Sequence, residues 1–222
     1  MAITVDSTGS NAGPGTEQST GSFSFTNTAG NALVISISGF RNRTVSSLTY
    51  NGVSLTSLVT STNSSNHKTF LYGLASPATG SNTVSWTLSG NDAPTFALIS
   101  FSGAHSSPFG ATGTGNDGGS AGTAVSTSIT TTANNSYIFD AFYRNGGSNI
   151  TTVGGSQTEV SDLQDAAYGS EGSSSSYKSF TTAGATTMTS TLSSSRNWTS
   201  AAVEIKEAAG TSSTRNSFLM MM

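Results

Sequence analysis

The chain reads as an all-β protein: an antiparallel β-sandwich, jelly-roll-like, made of two echoed halves. Three observations predict it. Apolar residues recur with period two between turn residues, as in Leu33, Ile35 and Ile37 against Ser36 and Ser38. No window carries a sustained helical stripe, and residues 161–167 offer one turn at most. The wording of the first half also returns in the second. NALVISISGF at 31–40 is echoed by NSYIFDAFYR at 135–144, and LTYNGVSLTSL at 48–58 by ITTVGGSQTEV at 150–160. APTFALISF near Pro94 is answered by NWTSAAVEI near Trp198.

Composition narrows the class. Of 222 residues, 34% are hydrophobic and 9% charged, and the formal net charge is -3. Low apolarity alone does not mean disorder, which also needs high net charge and few aromatics. Eleven Phe, six Tyr and two Trp are spread over most of the length. They can fill a sandwich core while Ser, Thr, Asn and Gly cover its outside. Eight Lys and Arg give little grip on phosphates, which argues against nucleic acid as a partner. With no cysteine, disulfides, thiolate catalysis and Cys-based metal sites are out of reach. The opening MAITVDSTGS lacks the basic and apolar regions of a signal peptide. No apolar run is long enough to span a bilayer, so no membrane partner is expected.

Taken in order, Ile3 and Val5 open an edge strand, and residues 7–20 form a loop. Phe23 and Phe25 then share a strand face. Residues 31–40 have the pattern of a half-buried strand rather than one covered on both faces. Asn51-Gly52 is the strongest hairpin signal, because both residues accept the positive φ of a type I′ turn. Phe70 and Tyr72 alternate on the next strand. Val84, Trp86 and Leu88 share one face, and an apolar strand at 95–101 closes the half. Residues 109–122 read as the stretch least suited to order. Strands follow at 124–130, 137–143, 150–153 and 157–160, EGSSSS reads as a loop, and final strands fall at 177–181, 186–192 and 199–206.

The expected organisation is one sandwich domain over residues 1–208, with halves of about 1–108 and 121–208 sharing a core. The Gly-rich stretch 109–120 is expected to cross between them. A small Ser/Thr-rich half buries a poor fraction of its surface alone, and two packed antiparallel sheets remedy that. Residues 209–222 read as a flexible tail with an apolar tip.

Five stretches of the first half carry a resemblance: AITVDS, NALVISISG, VSSLTYNGVSLTSL, FLYGLASPATGSNTVSWTLSG and FALISFSGA. Together they resemble a Gly/Ser/Thr-rich β-sandwich module of bacteriophage particle proteins and bacterial surface proteins. The likeness covers residues 2 to about 104, and residues 134–207 only through the internal echo. It implies a structural virion component, a capsid decoration or fibre protein on the particle surface, assembled in the host cytoplasm. The implied partners are capsid or other virion proteins and further copies of the chain. The alternative is a cell-surface adhesin or carbohydrate-binding module. No catalytic set comes with the resemblance.

The residues themselves suggest few sites. His67 and His105 lack metal-ligand spacing and read as polar loop residues; no catalytic group, metal or cofactor is expected. Serine is too common for any triad to be read, and no G-x-S-x-G appears. Asp140 lies inside YIFDAFYR with Arg144 on the same strand face. Its reading is a solvent-face or ion pair rather than one of two glycosidase carboxylates. Glu159, Asp162 and Asp165 allow at most an adventitious calcium site. Trp86 reads as core. Trp198, Arg196, Tyr168 and Tyr177 are the candidates for a weak glycan-contact rim, with Trp198 taken as a surface residue. The tip Phe218, Leu219, Met220, Met221 and Met222 reads as an assembly peptide, since methionine adapts to irregular grooves.

Overall fold

Period-two patterning runs through almost every segment. A computed structural model describes residues 2–146, 150–164, 167 and 171–208, and strands account for most of them. The first half holds β1 (Thr4–Asn11), β2 (Gln18–Asn27), β3 (Ala32–Arg41), β4 (Val45–Tyr50), β5 (Val53–Ser54), β6 (Thr56–Thr62), β7 (His67–Ala75), β8 (Gly80–Asp92) and β9 (Thr95–Ser102). The second holds β10 (Ala104–Asn116), β11 (Gly122–Thr130), β12 (Ser136–Asn145), β13 (Ile150–Val153), β14 (Thr158–Gln164), β15 (Glu171–Phe180), β16 (Ala185–Arg196) and β17 (Trp198–Glu207). Asn51 and Gly52 turn the β4–β5 hairpin at φ 50° and 74°.

The strands form two similar antiparallel sandwiches. In the first half an inner sheet of order β1-β9-β3-β7-β6 packs on an outer sheet β2-β8-β4-β5. The second half repeats this order as β10-β17-β12-β15-β14 over β11-β16-β13, with no counterpart of β5 among the described residues. The three textual echoes therefore fall on structurally equivalent strands.

The two inner sheets stack face to face, giving four layers. β3 lies on β12, β7 on β17 and β9 on β15, with β6 on β10 and β1 on β14 at the edges. Exchanging each strand for its counterpart in the other half returns the same five pairings. The halves are thus related by a pseudo-two-fold axis between β3 and β12, the arrangement of an isologous dimer within one chain. Val34, Ala97, Ile99 and Phe101 meet Phe139, Ala141, Ala201 and Val203 in this shared core. Each half also keeps a core of its own, around Ile35, Trp86 and Phe96 in the first and around Phe142, Trp198, Ile138 and Met188 in the second.

Three expectations are corrected. The strand at 31–40 is covered on both faces: Ser36 and Ser38 are as buried as Leu33, because their small side chains face the second inner sheet. The Gly-rich crossover is β10, paired along its length with β17. Its glycines serve close approach rather than disorder. A Cβ on Gly113 would stand 2.3 Å from the carbonyl oxygen of Ser128, and one on Gly115 2.1 Å from that of Ser126. EGSSSS is no loop but the first six residues of β15, hydrogen-bonded between β12 and β14.

Candidate functional site

The turn from β11 to β12 is one residue longer than the turn from β2 to β3, and this shifts the comparison of the halves. Asp6 accepts hydrogen bonds from the Thr28 and Ala29 N–H groups. Glu204 does the same for Thr132 and Ala133. Up to that turn the halves match at a constant offset; beyond it, Leu33 corresponds to Ile138 and Ile35 to Asp140. A one-residue slip exchanges the two faces of a strand, so Asp140 points into the second sandwich, where Ile35 points into the first. Ile35 stands between Tyr72 and Leu98, and Asp140 between Ser176 and Ala202. In the same way Phe70, opposite Ile37, is replaced by Ser174, opposite Phe142.

Part of the apolar core of one half is therefore a polar cluster in the other. Ser176 Oγ donates to Asp140 Oδ1 at 2.5 Å and accepts from Gln157 Nε2 at 2.8 Å. Gln157 Oε1 accepts from the Thr189 N–H at 2.8 Å, which ties β12 and β15 to the outer strand β16. Burial raises the Asp140 carboxyl to about 7, against the partly offsetting hydrogen bonds from Ser176. Beside it, Arg144 donates to Asp162 at 2.7 Å and to Ser174 Oγ at 2.7 Å. Ser174 in turn donates to Asp162 at 2.6 Å. The Arg144 pKa is lowered by burial, against the opposing pull of Asp162.

Asp140 and Arg144 do share a face, but it is buried rather than solvent-exposed. They take separate partners. Asp162, considered for calcium, is instead held by Arg144, Ser174 and the Ile150 N–H; Asp165 lies outside the described residues. Among the described residues no three His, Asp or Glu side chains converge as metal ligands.

The histidines also differ from expectation. His67 is fully buried at the start of β7, stacked on Tyr143 at 4.6 Å, with Nε2 3.8 Å from Glu171 Oε1. His105 lies on β10, where its Nδ1 accepts from the Ser107 N–H. Near the His67 end of the stack, Asp92 is raised to about 6 by burial. The Ala93 N–H partly offsets that, and Glu17 and Glu171 reinforce it.

The expected glycan rim does not assemble among the described residues. Trp198, expected at the surface, is 5% exposed and packs with Val125, Phe142 and Leu192 under the second outer sheet. Tyr177 lies on the opposite face of its sheet, beside Tyr137 in the shared core. Arg196 pairs with Gly122 at the end of β16. Tyr168 and the tip Phe218–Met222 lie outside the described residues.

Sequence reasoning misses Ser174 and Ser176, which read as loop, together with Gln157 and Glu204. The available signal was register: four serines in a row match the alternation of YIFDAFY across the ladder. Comparison with family models, with curated proteins and with solved structures gives no match.

Proposed function

We propose that this chain is a structural component of a bacteriophage particle, carried on the particle surface as a capsid decoration or fibre protein. The observation that supports the reading most is the four-layer stack itself. Two copies of one sandwich are fused through a continuous apolar core, which makes a stiff block. Its two outer sheets present hydroxyls, such as Ser22, Ser24 and Thr83 on one side and Ser128, Thr187 and Thr189 on the other. That suits a module whose work is to hold shape at a surface. The resemblance of the first-half motifs to phage and bacterial surface modules points the same way. Under this reading Phe218–Met222 engages a capsid protein or a second copy.

The test is to purify particles from cells expressing the chain with its virion genes and quantify it by mass spectrometry. Stoichiometric recovery with the capsid protein is expected, and deletion of residues 217–222 should lower it without moving the melting temperature. Exclusion from particles, with recovery on the host envelope, would overturn the reading in favour of an adhesin. A carbohydrate-binding role is kept as the second reading because of the recess beside Trp86.

A further inference from the structure

We propose that the recess beside Trp86 is a subsite for a single neutral sugar ring. It is a cavity of 140 Å³ where the β1–β2 loop meets edge strand β2, lined among others by Asn11, Gln18, Gly21, Ser22, Phe23 and Trp86. The assignment stands apart from the particle reading, since a virion protein and an adhesin could both carry it.

Gly21 makes room for the indole that lines the recess. It pairs across the ladder with Trp86, and a Cβ at Gly21 would stand 2.5 Å from Cζ2 and 3.0 Å from Nε1 of the indole. Only hydrogen at that position lets the N–H edge of the ring face the cavity. The body of Trp86 is 4% exposed and rests against Phe96, with ring centroids 5.8 Å apart. No described residue accepts a hydrogen bond from the indole N–H, and the nitrogen is not fully enclosed.

The second half fills the same position the other way round. The equivalent cross-strand pair is Val125 and Ser190, and Val125 is buried in the core there. One half fills the position from β11 with Val125, whereas the other fills it from β8 with the indole of Trp86, which brings an aromatic N–H to the recess.

The lining sets the ligand class. Two carboxamides and an indole N–H supply both donors and acceptors without charge. Asn11 Oδ1 accepts from the Gly13 N–H at 2.8 Å, which fixes that amide and turns its NH₂ to other partners. An apolar occupant would leave these groups unpaired. A charged one would lose its hydration without a counter-charge, and Glu17, next to Gln18, and Asp92, paired with it, repel anions at the mouth. Drug-sized ligands occupy roughly 300–1,000 Å³, so this cavity takes one ring and not a longer chain. A hexose or deoxyhexose fits: vicinal hydroxyls pair with the amides and the C–H face meets Phe23.

The experiment uses the full chain carrying Trp198→Phe, which leaves Trp86 as the sole indole. Its fluorescence is titrated with glucose, galactose, mannose, rhamnose and N-acetylglucosamine, with N-acetylneuraminic acid as the anionic comparison. A saturable change is expected with at least one neutral sugar and none with the anionic one. Gln18→Ala should weaken it roughly tenfold, the loss of one good hydrogen bond, at unchanged melting temperature; Gly21→Ala should abolish it. Saturation-transfer NMR on the unmodified chain gives the same readout without depending on the Trp198 variant. The proposal is overturned if no neutral sugar gives a saturable signal by either method. It is equally overturned if the signal survives both Gln18→Ala and Gly21→Ala, or if the anionic sugar binds as well.

Discussion

Ile35 and Asp140 hold the same position in the two halves, each in mid-strand on the face turned toward its own outer sheet. One is an ordinary core residue. The other is a carboxylate 2.5 Å from Ser176 Oγ, in a place where burial penalises its charged form. Duplication makes this comparison internal to the chain: the same fold packs the site with aliphatic and aromatic side chains in one copy and polar groups in the other.

The first prediction is a loss of stability toward alkaline pH. Folding raises the Asp140 carboxyl from 3.8 to about 7, so its contribution is full below the lower value and is lost as pH climbs through the higher. That span corresponds to about 4 kcal/mol. Asp92, raised to about 6, adds a smaller loss of the same sign. Urea midpoints at pH 5 and pH 8 should therefore differ in the wild type. The difference should shrink strongly in Asp140→Asn and slightly in Asp92→Asn. An Asp140→Asn variant with the wild-type pH dependence would refute the assignment.

Glu204 predicts an opposite limb in acid. Burial pushes its carboxyl up, but the N–H groups of Ala111, Ala133 and Thr132 and the Thr132 hydroxyl outweigh this and leave it below the ordinary 4.5. Its contribution is present above that value and is lost as pH falls through the lowered folded one. Removing the side chain strands three backbone donors. Glu204→Ala should cost about 3 kcal/mol and Glu204→Gln less, since the amide oxygen still accepts. Chemical denaturation at pH 7 separates the two variants. The Glu204→Ala loss should narrow as pH falls through the acid limb.

A glycine in β10 tests whether the 109–120 stretch is strand or tether. At Gly113 a methyl group would meet the β11 backbone at Ser128, and overpacking of this kind costs about 1–3 kcal/mol. Gly122 has nothing within 4 Å of the same methyl. Gly113→Ala should therefore lower the urea midpoint while Gly122→Ala leaves it within about 0.5 kcal/mol. Equal, neutral effects would mean that β10 is not held against β11.

Much of this architecture is legible in the sequence because strand periodicity and turn residues are local signals. The echo of NALVISISGF in NSYIFDAFYR locates the equivalent central strands, and Asn51-Gly52 locates a hairpin. What is not legible is which face of a strand meets what. The echo aligned Asn31 with Asn135, and that alignment is one residue out of register because of the longer β11–β12 turn. It therefore sets Asp140 against Ser36, a residue at the shared interface, rather than against Ile35 in an outer core. The glycines of β10 and the serines of β15 mislead for a related reason. Small and polar residues look like loop when their partners are unknown, yet here they permit the Ser128 backbone to approach Gly113 and give Asp140 and Asp162 their hydroxyl donors. Trp198 follows the polar turn SSSRN and so reads as a surface residue, whereas its own strand turns it inward over Phe142.

The last prediction concerns cooperativity, and the two tryptophans make it measurable. Trp86 reports the core of the first half and Trp198 that of the second. If the shared core joins the halves energetically, fluorescence and far-ultraviolet circular dichroism should give coincident transitions in both Trp198→Phe and Trp86→Phe backgrounds. Phe101 belongs to the first half, is fully buried, and meets Tyr137 of the second with ring centroids 5.4 Å apart. Phe101→Ala should cost about 3–5 kcal/mol. In a coupled block that loss appears at Trp198 as fully as at Trp86. A shift seen by Trp86 alone would mean that the second half unfolds by itself, and that the pseudo-two-fold interface is a contact rather than a core.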